Sequence, residues 1–168
     1  IYVEFRGIPY AEQPIGVNRF KATQPLLPND DPVRAERFSD AAPQEEVSMF
    51  GISQMSEDCL YLNLWTPACD NKKRPVMVWI HGGGYQTGSG AQLIYRGRSL
   101  AVRGDVVVVT LNYRLGALGF LYLNELIPDS YQVSANNGLL DQIEALKWVQ
   151  QNIALFGGAP ADITLFGE

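Results

Sequence analysis

The six residues Pro75-Val76-Met77-Val78-Trp79-Ile80 carry no charge and show no apolar–polar alternation, and they run directly into His81-Gly82-Gly83-Gly84. A strand that is apolar on both sides must be covered on both faces, which is the habit of parallel strands in α/β sheets. Ligands of such sheets bind beyond the carboxyl ends of the strands. A glycine triplet at that end therefore constrains both fold and function.

The neighbouring segments fit the same architecture. Cys59 to Thr66 is aromatic-rich and alternating and stops at Pro67, so it reads as a strand. Val106 to Leu111 is a second buried strand after a short helix around Leu93 to Arg103, and a polar, glycine-rich turn follows from Asn112 to Gly119. A longer helix is expected after Asn136-Asn137, which can cap it. Its apolar face would be Leu139, Leu140, Ile143, Leu146, Val149 and Ile153, and Gly157-Gly158 would end it. Asp162 to Phe166 is the last strand. Residues 1–58 read as one short strand and then an irregular surface, because Pro9, Pro14, Pro25, Pro28, Pro32 and Pro43 interrupt every periodic run. Strands separated by helices predict an α/β sheet with helices on its faces.

Composition removes several function classes. The 168 residues are 46% apolar and 18% charged, as in a globular domain. Thirteen Lys and Arg against 18 Asp and Glu give a net charge of -5, too little positive surface to hold a phosphate backbone. Nucleic acid is not an expected partner. The apolar runs are far shorter than the roughly 20 residues needed to cross a bilayer, so no membrane partner is expected either. Cys59 and Cys69 are separated by an extended run longer than 20 Å at about 3.3 Å per residue, so both read as free thiols. That pattern favours a reducing, cytoplasmic setting. The chain opens on Ile1 without an initiator Met and stops at Gly167-Glu168 straight after a strand, so a longer product is expected and any signal peptide is out of view.

Bare glycine backbone offers N–H groups that a substrate oxygen can approach without meeting a Cβ, which suits stabilisation of an oxyanion. A ligand-free glycine turn and a nucleotide loop are the rivals. Against the second, Thr87 stands where a dinucleotide fingerprint needs Gly, and no Gly-Lys-Ser/Thr is present. His81, the only histidine, is open to reading as a general base, but its place at the root of the loop argues for positioning that loop. Strand-Gly167-Glu168 is the beginning of a Gly-x-Ser-x-Gly turn, which lifts a serine above an α/β-hydrolase sheet.

Glu57-Asp58-Cys59-Leu60-Tyr61-Leu62-Asn63-Leu64-Trp65-Thr66-Pro67 resembles a signature of the type B carboxylesterases, which include cholinesterases and bacterial p-nitrobenzyl esterases. Phe5 to Glu12, Val76 to Gly84, Leu111 to Gly116 and Asn137 to Gln142 are similar to that family as well. The resemblance implies an α/β-hydrolase fold, with residues 1–168 as the N-terminal part of one catalytic domain and a mostly parallel sheet flanked by helices on both faces.

It further implies ester hydrolysis through an acyl-enzyme without metal or cofactor, with a small-molecule ester as substrate. Gly83 and Gly84 would supply oxyanion-hole N–H groups, and the nucleophilic serine would follow Glu168. The acid and histidine of the triad would come from the remaining C-terminal part of the same protein, so this chain alone would be inert. His81, Tyr85 and Glu168 are candidate binding residues around the loop; Glu168 would tune the electrostatics or bond to backbone. Arg114 with Asp141, and Arg19 with Glu57, would be structural ion pairs.

Two departures refine the resemblance. Ser48-Met49-Phe50-Gly51 carries no tryptophan where cholinesterases stack one on a quaternary ammonium, and no Cys precedes Cys59, which brings the chain closer to the bacterial enzymes. The alternative function is a catalytically inactive binding or adhesion module on the same scaffold; the residue after Glu168 discriminates the two.

Overall fold

A computed structural model describes residues 1–27, 31–45, 52, 54–123, 125–126 and 134–168. Pro28 and the tryptophan-free segment 48–51 lie outside the described residues. The strands are β1 (Val3–Pro9), β2 (Tyr61–Thr66), β3 (Arg74–Ile80), β4 (Val107–Leu111) and β5 (Gly158–Gly167), and the helices are α1 (Arg98–Gly104), α2 (Gly116–Phe120) and α3 (Asn137–Asn152). The strands form one sheet in the order β1-β2-β4-β3-β5. β2 is antiparallel to both its neighbours, whereas β3 is parallel to β4 and to β5. Four of the five strands thus point the same way, giving the mixed, mostly parallel sheet of an α/β fold.

Alternation along the strands sorts the core into two layers. Leu62, Leu64, Val76, Val78, Val107, Val109 and Leu111 face Ala145, Val149 and Ile153 from α3 and the turn after it. Trp65 and Val108 point the other way, onto Ala101 of α1. The helices therefore cover both faces.

Several boundaries differ from those expected, each for a local reason. The helix placed at 93–103 is split into a 3-10 turn, Leu93–Tyr95, and the shorter α1. Part of the turn placed at 112–119 is helical as α2, which packs on α3. β5 starts four residues earlier than Asp162 and runs through Pro160. Among the described residues it pairs with β3, and residues 159–162 bulge opposite Pro75, so the N–H that Pro160 lacks costs no bond to β3.

The stripe of α3 is rotated from its expected face. Asn137, Gly138, Asp141, Ala145 and Val149 are buried, while Leu139 and Ile143 are 40% and 49% exposed. Asn136 makes no side-chain cap; only its carbonyl accepts, from the amides of Leu139 and Leu140.

Asp141 accounts for the rotation. Its Oδ2 accepts the backbone N–H of Arg114 at 3.0 Å and the Nε at 2.8 Å, and its Oδ1 accepts Arg114 Nη2 at 2.7 Å and the Thr23 hydroxyl at 2.5 Å. Arg114 Nη1 also donates to the Lys21 carbonyl at 2.7 Å. This expected pair is almost completely buried, and Arg19 joins Glu57 at 2.6 Å as expected.

Removing one member of a buried ion pair strands the other, so Asp141→Ala should cost about 3–5 kcal/mol in urea unfolding. The double variant Arg114→Met, Asp141→Leu should recover part of this loss, the backbone N–H of Arg114 still lacking its acceptor. Equal midpoints for native and Asp141→Ala proteins would contradict the assignment.

Candidate active site

The registers Ile80↔Leu111 and Ile80↔Gly167 align the carboxyl ends of β3, β4 and β5. His81, Asn112 and Glu168 consequently leave the sheet along one edge. A Cβ built on Gly82 would stand 3.0 Å from the Glu168 Cβ and 3.1 Å from its Cγ, so the glycine loop and the end of β5 are in contact.

Most of the loop's polar backbone is occupied. The Gly83 carbonyl accepts from the amides of Gln86 at 3.0 Å and Thr87 at 3.1 Å, and the Tyr85 carbonyl accepts from Gly116 at 2.7 Å. Farther along, Gly90 N–H donates to Asn112 Oδ1 at 2.8 Å and the Gly90 carbonyl accepts the Thr110 hydroxyl at 2.7 Å. Among the described residues, the amides of Gly83 and Gly84 have no acceptor. Both residues are exposed and both have positive φ, +110° and +59°. A side chain at Gly83 would strike the Thr87 carbonyl at 2.1 Å, whereas a Cβ at Gly84 would have nothing within 4 Å. The loop is tight beneath Gly83 and open above Gly84.

His81 lies beneath this loop. It is buried, its ring stacks on Tyr113 at 4.4 Å, and its Nδ1–H donates to the Gly82 carbonyl at 2.9 Å. A carbonyl can only accept, so Nδ1 carries the proton. Burial pushes the imidazole down to about 4 from an ordinary 6.5, against a smaller opposing effect of the Gly82 bond. The Tyr113 hydroxyl donates to the His81 carbonyl at 2.7 Å. A buried ring held in this way braces the root of the loop.

Tyr85 is exposed, with φ +61°, and its ring rests on Phe120 at 4.8 Å. Glu168 is exposed beside Gly82. A cavity of about 440 Å³ flanks the loop, lined by Gln44, Gln86, Thr87, Leu115 and Leu118 among others. Both cysteines are free, Cys59 buried and Cys69 exposed. No helix among the described residues is long and apolar enough to cross a membrane.

Gln44 and Asn112 had no place among the sequence-derived site residues. Asn112 closed a strand that was recognised, but Gln44 lies in the proline-interrupted stretch, where no periodicity marks a residue's neighbours. Gly88 is a further addition: at φ +119°, its Cβ would be 2.2 Å from His81 Nδ1.

A mostly parallel sheet with a bare-backbone loop at the carboxyl ends of its strands is the arrangement of an α/β-hydrolase type of protein. The sequence profile of the Carboxylesterase family matches residues 1–168. The para-nitrobenzyl esterase of Bacillus subtilis (strain 168) is 47% identical over 98% of the chain, and the acetylcholinesterase of Danio rerio is 46% identical over 99%. Among solved structures, a Geobacillus stearothermophilus carboxylesterase superposes over 99% of the chain with a TM-score of 0.91 and 46% identity. The chain belongs to the carboxylesterase family, type B. It spans 34% of the length of the Bacillus esterase, 27% of the Danio cholinesterase and 34% of the Geobacillus chain.

The His81 environment carries a pH signature. Between about 4 and 6.5 the unfolded chain binds a proton that the folded chain refuses, so stability should rise with pH across that window and level off above it. The full effect is up to about 3 kcal/mol. Urea midpoints measured from pH 4 to 7 for native and His81→Phe proteins should show a shallower slope in the variant. Parallel slopes would mean that the ring takes up its proton alike in the folded and unfolded chain.

Proposed function

We infer that the full-length protein hydrolyses carboxylic esters through an acyl-enzyme, and that residues 1–168 form the N-terminal part of its single catalytic domain. The observation that carries this reading is the contact of Gly82 with Glu168, because it puts the unpaired Gly83 and Gly84 amides beside the place where the chain leaves β5. A serine in the next position would attack the ester carbonyl, and the two amides would hold the tetrahedral oxyanion, each donor worth about 3 kcal/mol in the transition state. The triad acid and base would come from outside this chain, which alone would be inactive. His81 would act through the loop, while Tyr85 and Glu168 would border the bound ester. The two free thiols support a cytoplasmic setting, and the lack of a Cys before Cys59 supports kinship with the bacterial enzymes.

The test uses the full-length gene product and p-nitrophenyl esters. A methyl at Gly84 meets no atom within 4 Å but stands in the open space beside the amides, so Gly84→Ala should lower kcat roughly 10²–10³-fold, while its left-handed φ costs about 1–2 kcal/mol of stability. Undiminished turnover in that variant would sink the oxyanion assignment. A native protein that neither turns over esters nor takes up an organophosphonate would be the inactive binding module instead.

A further inference from the structure

The loop's far end is held by a side chain from a distant part of the sequence. Gln44 Nε2 donates to the carbonyl of Gly88 at 2.8 Å, and its Oε1 accepts the Gly88 N–H at 2.7 Å. A primary amide thus answers both polar groups of one residue, as a neighbouring strand would. Gln44 itself is braced: its Nε2 also donates to the Ala42 carbonyl at 3.0 Å. Just before it, Ala41 donates to the Gln54 carbonyl at 3.0 Å and accepts from the Ser56 amide at 2.9 Å.

On its opposite side Gly88 presses against the root of the loop. A Cβ there would lie 2.2 Å from His81 Nδ1 and 2.6 Å from the Gly82 carbonyl oxygen. Those two atoms are bonded to each other, and the next peptide belongs to Gly83. A displacement of Gly88 is therefore transmitted through His81 and Gly82 to the Gly83 amide, with no soft side chain between to absorb it.

We propose that Gln44 is a positioning residue of the glycine loop: by clasping both backbone groups of Gly88 it seats Gly88 against His81 and Gly82, and so fixes the direction of the Gly83 and Gly84 N–H groups. This rests on the reading of those amides as oxyanion donors. An oxyanion forms only along the reaction path, so loss of aim should appear in kcat and spare ground-state binding.

The experiment compares native, Gln44→Leu and Gly84→Ala forms of the full-length product, with p-nitrophenyl butyrate as substrate and an aryl trifluoromethyl ketone as the tetrahedral analogue. Gln44→Leu is expected to lower kcat about 10- to 100-fold, with KM within about threefold of native. Affinity for the ketone should fall by the same factor as kcat/KM. If Gly84→Ala loses turnover but Gln44→Leu keeps native kcat and ketone affinity, or raises KM alone, Gln44 has no positioning role and the oxyanion reading stands. If both variants keep native kcat, the oxyanion reading fails and takes the proposal with it. Should Gln44→Leu not fold, the isosteric Gln44→Glu keeps the acceptor for Gly88 N–H, loses the donor for its carbonyl, and is judged by the same criteria.

Discussion

The in-register ending of three parallel strands is the constraint on which the functional edge depends. Because Ile80 stands opposite both Leu111 and Gly167, three chain segments emerge side by side and must share the space above the sheet. The segment after β3 has β4 on one flank and β5 on the other, so it must turn within a few residues of its strand. Glycine is what makes that turn possible: Gly82 has only 3.0–3.2 Å to Glu168 atoms at the position of a Cβ. At the opposite edge, β3 begins at Arg74, which is buried and held by Asp70 at 2.5 Å and Asp105 at 2.8 Å. The guanidinium keeps Asp70 down at about 2. One strand therefore starts in an ion cluster and ends in a loop whose Gly83 and Gly84 amides have no acceptor among the described residues.

The N-terminal third obeys a different rule. Beyond β1, proline denies it regular ladders, so polar side chains stand in for missing backbone partners. Gln13 accepts the Leu60 N–H at 3.0 Å, the Tyr10 hydroxyl donates to the Asn112 carbonyl at 2.6 Å, and Gln44 does for Gly88 what a strand would do. The Arg114–Asp141 pair extends the pattern by binding the Lys21 carbonyl and the Thr23 hydroxyl. Its value is geometric as much as energetic, since a buried ion pair roughly offsets its own desolvation. What it supplies is a single way for residues 21–23, the β4–α2 turn and α3 to meet.

Period and sign of hydrophobicity made the strands legible, although of β3 and β4 only β4 is buried on both faces: β3 buries Val76 and Val78 and leaves Met77 and Trp79 half-buried on its other face. The ion pairs were legible from the family resemblance. The face of α3 was not: Leu139 and Ile143 are as apolar as Val149, and only the bonds of Asp141 to a residue 27 positions away decide which stripe turns inward. Pro160 hid the start of β5, since a proline argues against a strand until it is known to sit in a bulge. At the site, the glycine triplet announced itself by composition. Its support by Gln44 and Gly88 could not, because nothing local in Pro43-Gln44-Glu45 distinguishes a clasp from a solvated turn.

The loop concentrates unusual backbone. Gly83, Gly84, Tyr85 and Gly88 have φ values of +110°, +59°, +61° and +119°. For Tyr85 the left-handed conformation costs about 1–2 kcal/mol, and the residue keeps it because Phe120 holds its ring and Gly116 its carbonyl. A chain free to relax would turn the Gly83 and Gly84 amides toward internal acceptors. Here four carbonyls of the loop are already engaged: Gly82 O by His81, Gly83 O by Gln86 and Thr87, Tyr85 O by Gly116, and Gly88 O by Gln44. Occupying these neighbouring carbonyls lowers the pull on the Gly83 and Gly84 amides, and the residues around the triplet are more densely bonded than those within it.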